Sequence, residues 1–157
     1  MANAQAMCTS FKTELMLAQH QFASTTITSR TSLTAPVADT FKAALYTVSG
    51  GTLGAGTTAY NPTGEVSGTG YTAGGVVVTN GTAPTATGTT AYWTPSASIT
   101  YTSVTLTTPF DAVLIYNSTQ SNKAVSCHTF GSQTITAGTF TLVMPTNAAG
   151  TALLNIA

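Results

Sequence analysis

From Phe41 onward the chain repeats one pattern, a short run of β-branched or aromatic residues closed by glycine, proline or asparagine. The runs fall at residues 41–47, 75–79, 92–94, 99–102, 104–107, 112–116, 123–130, 139–144 and 151–157. Intervals of about eight to twelve residues with turn signals between them predict a mainly β fold of antiparallel β-sandwich or jelly-roll type. Threonine fits such a fold, because its branched Cβ packs on a pleated surface and its hydroxyl supplies polarity without charge. In residues 104–107, Val104 and Leu106 alternate with threonines, the period of a half-buried strand. Ala112-Val113-Leu114-Ile115-Tyr116 is apolar throughout and is expected to be the central, doubly covered strand. Asn80-Gly81 predicts a turn.

The first residues read differently. Residues 3–22 hold neither glycine nor proline, and Met7, Phe11, Leu15, Ala18 and Phe22 recur at steps of three and four. That spacing predicts one N-terminal amphipathic helix. Residues 23–36 are rich in Ser and Thr and predict an extended arm. The expected organisation is therefore a helix and arm over residues 1–36 and a single β-sandwich domain over residues 37–157.

Charge narrows the function. The 157 residues include Lys+Arg 4 and Asp+Glu 4, for a formal net charge of +0. Soluble domains ordinarily carry roughly 25% charged residues, and here the share is 5%. Acid–base catalysis draws on carboxylates, lysines and histidines. Glu14, Asp39, Glu65 and Asp111 are single and well separated in sequence, so no enzyme is expected. Lys12, Arg30, Lys42 and Lys123 are scattered, which argues against a nucleic-acid partner. No apolar run of about 18 residues predicts a membrane span. The start lacks a basic segment followed by an apolar one, so no export signal is expected.

Cys8 and Cys127 are expected to be thiols, as in a chain that is not secreted. With His20 and His128 they lack the close ligand spacing of a zinc site, and no metal or cofactor is expected. In a strand, Cys127 and His128 would face opposite sides of the sheet. The run from Gly68 to Gly75 lacks the Gly-Lys-Ser/Thr ending of a phosphate loop and precedes a strand. It predicts a place where backbones pass closely. Asn80-Gly81-Thr82 and Asn117-Ser118-Thr119 match the glycosylation sequon and are read as coincidence in a Thr-rich chain. Tyr60, Tyr71, Tyr92, Trp93 and Tyr101 could form a sugar-stacking platform or serve as core and interface anchors.

Phe41-Lys42-Ala43-Ala44-Leu45-Tyr46, Tyr60-Asn61, the segment Glu65-Val66-Ser67-Gly68-Thr69-Gly70-Tyr71-Thr72-Ala73-Gly74-Gly75 and Val113-Leu114-Ile115-Tyr116-Asn117-Ser118 resemble small virion structural proteins of tailed bacteriophages. Gly138-Thr139-Phe140-Thr141 looks similar too, and the likeness spans residues 40–157. It implies a non-enzymatic capsid decoration or cement protein, made in the host cytoplasm and carried on the capsid surface of the virion. The implied partners are the major capsid protein and further copies of the chain, as a trimer or dimer. A tail, collar or portal-proximal subunit is the alternative within the virion, and a carbohydrate-binding or adhesin-like sandwich is the alternative outside it. On the structural reading, Phe11, Leu15 and Phe22 are expected to offer an interface on the helix, and Tyr60, Tyr71 and Trp93 to anchor loops.

Overall fold

A computed structural model describes residues 3–16, 20, 22 and 38–157, apart from the side chains of residues 12–14 and 16. The expected arm over residues 23–36 and the helical position of Ala18 lie outside the described residues. Nine elements follow one another: β1 (Ala6–Met7), α1 (Thr9–Met16), β2 (Phe41–Thr47), β3 (Val76–Val77), β4 (Thr85–Thr87), β5 (Thr90–Trp93), β6 (Ile99–Asn117), β7 (Lys123–Leu142) and β8 (Leu154–Ile156). The protein is mainly β, with two antiparallel sheets. One is ordered β1-β7-β6-β2-β3 and the other β4-β5-β8.

The amphipathic helix expected across residues 3–22 is corrected. Met7 belongs to a strand, with Ala6 opposite Cys127 and Met7 opposite Ser126. Among the described residues, only Thr9–Met16 is helical, 8 residues. An unpaired strand edge offers backbone hydrogen bonds that local helical spacing does not outweigh, so the segment joins the sheet before it turns.

The separate runs at 99–102, 104–107 and 112–116 are one strand of 19 residues, and the next strand reaches 20. The residues between the runs are absorbed as irregularities. The β6–β7 register shifts between Tyr101 and Val104, Val104 and Leu106, Leu106 and Phe110, and Phe110 and Ala112. Ser103 and Ala137 take φ of 53° and 45° there, the left-handed region. Bulges of this kind let extra residues bow out while the ladder continues, and they increase its twist. The hairpin closes through residues 118–122, where Ser121 and Asn122 are also left-handed, and the Lys123 N–H donates to the Gln120 carbonyl at 3.1 Å.

Residues 112–116 are all buried, and β6 is the middle strand of its sheet. β2 pairs with it from Phe41↔Asn117 to Thr47↔Phe110. Aromatic rings join the two sheets. Phe22 stacks on Phe41 with centroids 4.8 Å apart and meets Trp93 edge-on at 4.7 Å, while Phe11 lies 5.9 Å from Phe22. The Trp93 indole N–H donates to the Thr82 carbonyl at 2.8 Å, so its polar end is satisfied inside the core. Burying each such ring contributes roughly 1.5–3 kcal/mol. No helix of the described residues is long and apolar enough to cross a membrane.

Candidate interaction surface

Residues 64–75, which include the glycine-rich run, cover the outer edge of β2 and of the part of β6 beyond it. The Val66 N–H donates to the Leu45 carbonyl at 3.0 Å, the Thr47 N–H donates to the Gly64 carbonyl at 2.8 Å, and Tyr46 bridges Glu65. Further along, the Thr105 N–H donates to the Thr69 carbonyl at 2.9 Å. Gly75 has φ +74°, and a Cβ there would overlap the Ala43 carbonyl oxygen. Only glycine meets both conditions at low cost. The expected close passage of backbones is thus located at one sheet edge.

Glu65 fastens this cover. One carboxylate oxygen accepts from the Tyr60 hydroxyl at 2.6 Å. The other accepts from the Tyr71 hydroxyl and the Gly74 N–H, both at 2.7 Å. Tyr71 in turn accepts the Leu45 N–H at 3.0 Å. Tyr60 stacks on Tyr116 at 4.8 Å, and Tyr71 on Tyr101 at 6.0 Å. The outer hydroxyls end on backbone: Tyr46 donates to the Asn61 carbonyl, Tyr101 to Ala43 and Tyr116 to Gly74. Burial, followed by the Glu65 charge, pushes Tyr116 up to about 12. Burial is also the first cause that raises Tyr46, Tyr60, Tyr71 and Tyr101. These phenols are protonated structural donors at neutral pH.

Among the described residues, Asp111 and His128 stand apart, while Asp39 and His20 share the Asn117 amide. Asp111 accepts from the Asn3 side chain at 2.7 Å. Asp39 accepts from Asn117 at 2.7 Å and from Gln120 at 3.2 Å. The Asn117 oxygen accepts the Thr119 and Gln120 N–H groups, which fixes the orientation of its amide. The other end of that amide then donates to His20 Nδ1 at 3.1 Å. Asn117, one of the two sequons, is wholly buried. Burial holds His128 down at about 4, where its Nε2 meets the Ser126 hydroxyl at 2.9 Å. Cys127 is buried on the opposite face, beside Cys8. Among the described residues, no three His, Cys, Asp or Glu side chains gather in a way that could hold a metal ion.

Of the residues expected at an interface, Phe11, Phe22 and Trp93 lie at 1%, 7% and 2% exposure within the chain's own core. Leu15 packs half-buried beside them. Tyr60 and Tyr71 belong to the Glu65 cluster. A ring already covered on this scale has little area left for a neighbour, and Trp93 and Tyr101 offer no exposed face for a sugar.

The open surface lies along β7. Its outer edge is covered near the hairpin. The Tyr60 N–H donates to the Asn122 carbonyl, the Ala124 N–H to Thr58, and the Cys8 N–H to Val125, while β1 pairs with Ser126 and Cys127. From Thr129 to Leu142, no described residue pairs with that edge. The segment has neither charge nor proline, and no Lys, Arg, Asp or Glu follows Lys123. Ser132, Thr134, Thr136, Thr139 and Thr141 are exposed along it, and Val143 just beyond is 80% exposed. A groove of about 230 Å³ adjoins it, lined by Ile99, His128, Phe130, Leu142, Met144 and Leu153 among others. A separate hollow of about 410 Å³ is lined by Gly and Thr of residues 50–58 and by Tyr46 and Asn61.

The sequence runs 123–130 and 139–144 did not mark this edge, because pairing partners cannot be counted from one strand. The signal that could have located it is the uncharged stretch after Lys123. Comparison with protein-family models, curated proteins and solved structures finds no match to this chain.

Proposed function

We propose that the chain is a non-enzymatic structural subunit of a tailed-bacteriophage virion, a capsid decoration or cement protein. Its two antiparallel sheets act as the layers of a jelly-roll-like sandwich. The observation that carries this reading is the uncharged outer edge of β7, which no described residue pairs from Thr129 to Leu142. Isolated domains normally guard such edges with lysine, proline or a covering segment. Among the described residues the guard stops after Cys127, and the strand edge beyond it has no partner up to exposed Val143. A neighbouring strand would complete the ladder, with the alternating threonines meeting its side chains.

The near absence of charge supports the same role. Few ions would have to leave water on docking, which removes the main cost of burying polar surface. The resemblance of residues 40–157 to small phage virion proteins supplies the context, with the major capsid protein and further copies of the chain as partners. Attachment of this kind adds stability to the assembled shell alone, because the ligand binds that state and no other.

The test is co-sedimentation of the purified chain with phage shells that lack it. Binding should saturate at a fixed ratio to the major capsid protein and change little between low and high salt, since ionic screening has few charges to act on. A chain that stays monomeric and leaves shells unbound at every salt concentration would overturn the proposal. Saturation at only a few copies per particle would favour the tail or collar reading.

A further inference from the structure

Cys8 and Cys127 are 119 positions apart in the chain, yet their sulfurs meet at 3.8 Å and both residues are fully buried. The register explains the meeting. Ala6 stands opposite Cys127, and the Cys8 N–H donates to the Val125 carbonyl, so the two cysteines are diagonal neighbours on one face of the sheet. Both thiols also approach the Gly54 carbonyl, Cys8 at 4.0 Å and Cys127 at 3.8 Å. The segment before α1 is otherwise fastened by a short ladder. It has two register pairs, the Ala4 N–H on the Leu53 carbonyl at 2.8 Å and the Thr9 N–H on Ala55 at 2.9 Å, and the Asn3 side chain adds bonds to Asp111 and to the Leu53 N–H.

We propose that Cys8 and Cys127 are an oxidation site, a dithiol that closes to an intramolecular disulfide on exposure to a peroxide and so locks the N-terminal segment to β7. A disulfide needs its sulfurs at about 2.05 Å. The sulfurs are in contact at 3.8 Å, and closing the rest takes side-chain rotation together with a small shift of the two-residue β1 along β7. The contact between the two thiols lowers the Cys127 thiol against the opposing effect of burial, which favours Cys127 as the attacking sulfur. The Cys127 thiolate attacks one peroxide oxygen, the O–O bond breaks, and the departing oxygen leaves as water after taking a proton. Cys8 then attacks the resulting sulfenic sulfur, the S–O bond breaks, and a second water leaves with the Cys8 proton. Two thiols and one hydrogen peroxide give one disulfide and two waters. A small oxidant is required because the pair is closed off from solvent.

The product would tie β1 to β7 immediately before that uncharged edge begins. It would also close a loop of about 119 residues, a length for which the entropic restriction of the unfolded chain is large. The inference does not depend on the virion reading, since the chemistry needs only the folded chain.

The experiment treats the reduced full chain with equimolar hydrogen peroxide and alkylates it in denaturant. The expected result is loss of both reactive thiols, a mass lower by two hydrogens, and a non-reduced peptide map that joins the Cys8 and Cys127 peptides. A thermal midpoint several degrees higher should accompany this and revert with reductant. Cys8→Ser should instead leave Cys127 as a sulfenic acid, captured by a dimedone-type trap once the chain is opened in denaturant. The wild-type mass and peptide map stand even if that variant folds poorly. Two thiols still alkylated after peroxide, a gain of oxygen without cross-linking, or a bridge only between separate chains would each overturn the proposal.

Discussion

Three donors converge on the Glu65 carboxylate, the hydroxyls of Tyr60 and Tyr71 and the Gly74 amide. Hydrogen bonds to a charged acceptor are worth about 1.5–3 kcal/mol each when made, and a glutamine keeps the shape with a neutral, single acceptor. Glu65→Gln should therefore lower the unfolding free energy by about 2 kcal/mol, read from the urea midpoint at constant slope. An unchanged midpoint would remove Glu65 from its structural role. Alkaline titration probes the same cluster. Tyr116 is raised to about 12 in the folded chain against 10.0 unfolded. A raised phenol contributes stability that is complete below pH 10 and lost as pH climbs from there through 12, because the unfolded chain releases a proton that the folded chain keeps. Phenolate absorbance of the folded protein should thus lag that of urea-unfolded chain, and Glu65→Gln should narrow the gap. Coincident titration curves would contradict the buried cluster. None of this was visible as a site in the sequence, where Glu65 is one isolated carboxylate. Its partners come from positions 60, 71 and 74, and the rings stacked on them from positions 101 and 116, so only the fold assembles the cluster.

At the scale of elements, local pattern located strands well where one face or both are buried. Residues 41–47 and 112–116 lie in strands with the burial that their apolar runs imply. The pattern misplaced ends wherever a bulge intervened. Ser103 and the residues around Pro109 separate the runs in sequence, and in the fold they are irregularities inside β6. The N-terminal helix was overextended for a related reason. Three- and four-residue spacing at Met7 and Phe11 is also compatible with a strand residue and a helix residue that both face the core. The glycine run was legible as a close approach, and its strictest position is Gly75. A methyl group there meets the Ala43 carbonyl while φ stays at +74°. Gly75→Ala should cost about 1–3 kcal/mol, measured by thermal or chemical unfolding. A variant as stable as the parent would mean that the cover does not press on β2 as described.

Over the whole molecule, the low charge evident from composition takes on a location. The residues after Lys123 are free of charge, and they include the stretch of β7 that no described residue pairs. Composition alone indicated a surface tolerant of neighbours. It did not indicate which surface, because strand edges are a property of the sheet order and not of any single segment. The size of the aromatic residues suits an interface anchor and a core equally, and the fold uses Phe11, Phe22 and Trp93 to join its two sheets. The proposed role therefore rests on the backbone of residues 129–142. Amide hydrogen exchange of this segment, compared between the isolated chain and assembled particles, tests that most directly. The account predicts that amides of residues 129–142 slow by about tenfold or more on assembly, while those of the already buried β2 change little. Equal exchange of residues 129–142 in the isolated chain and in the particle would contradict it.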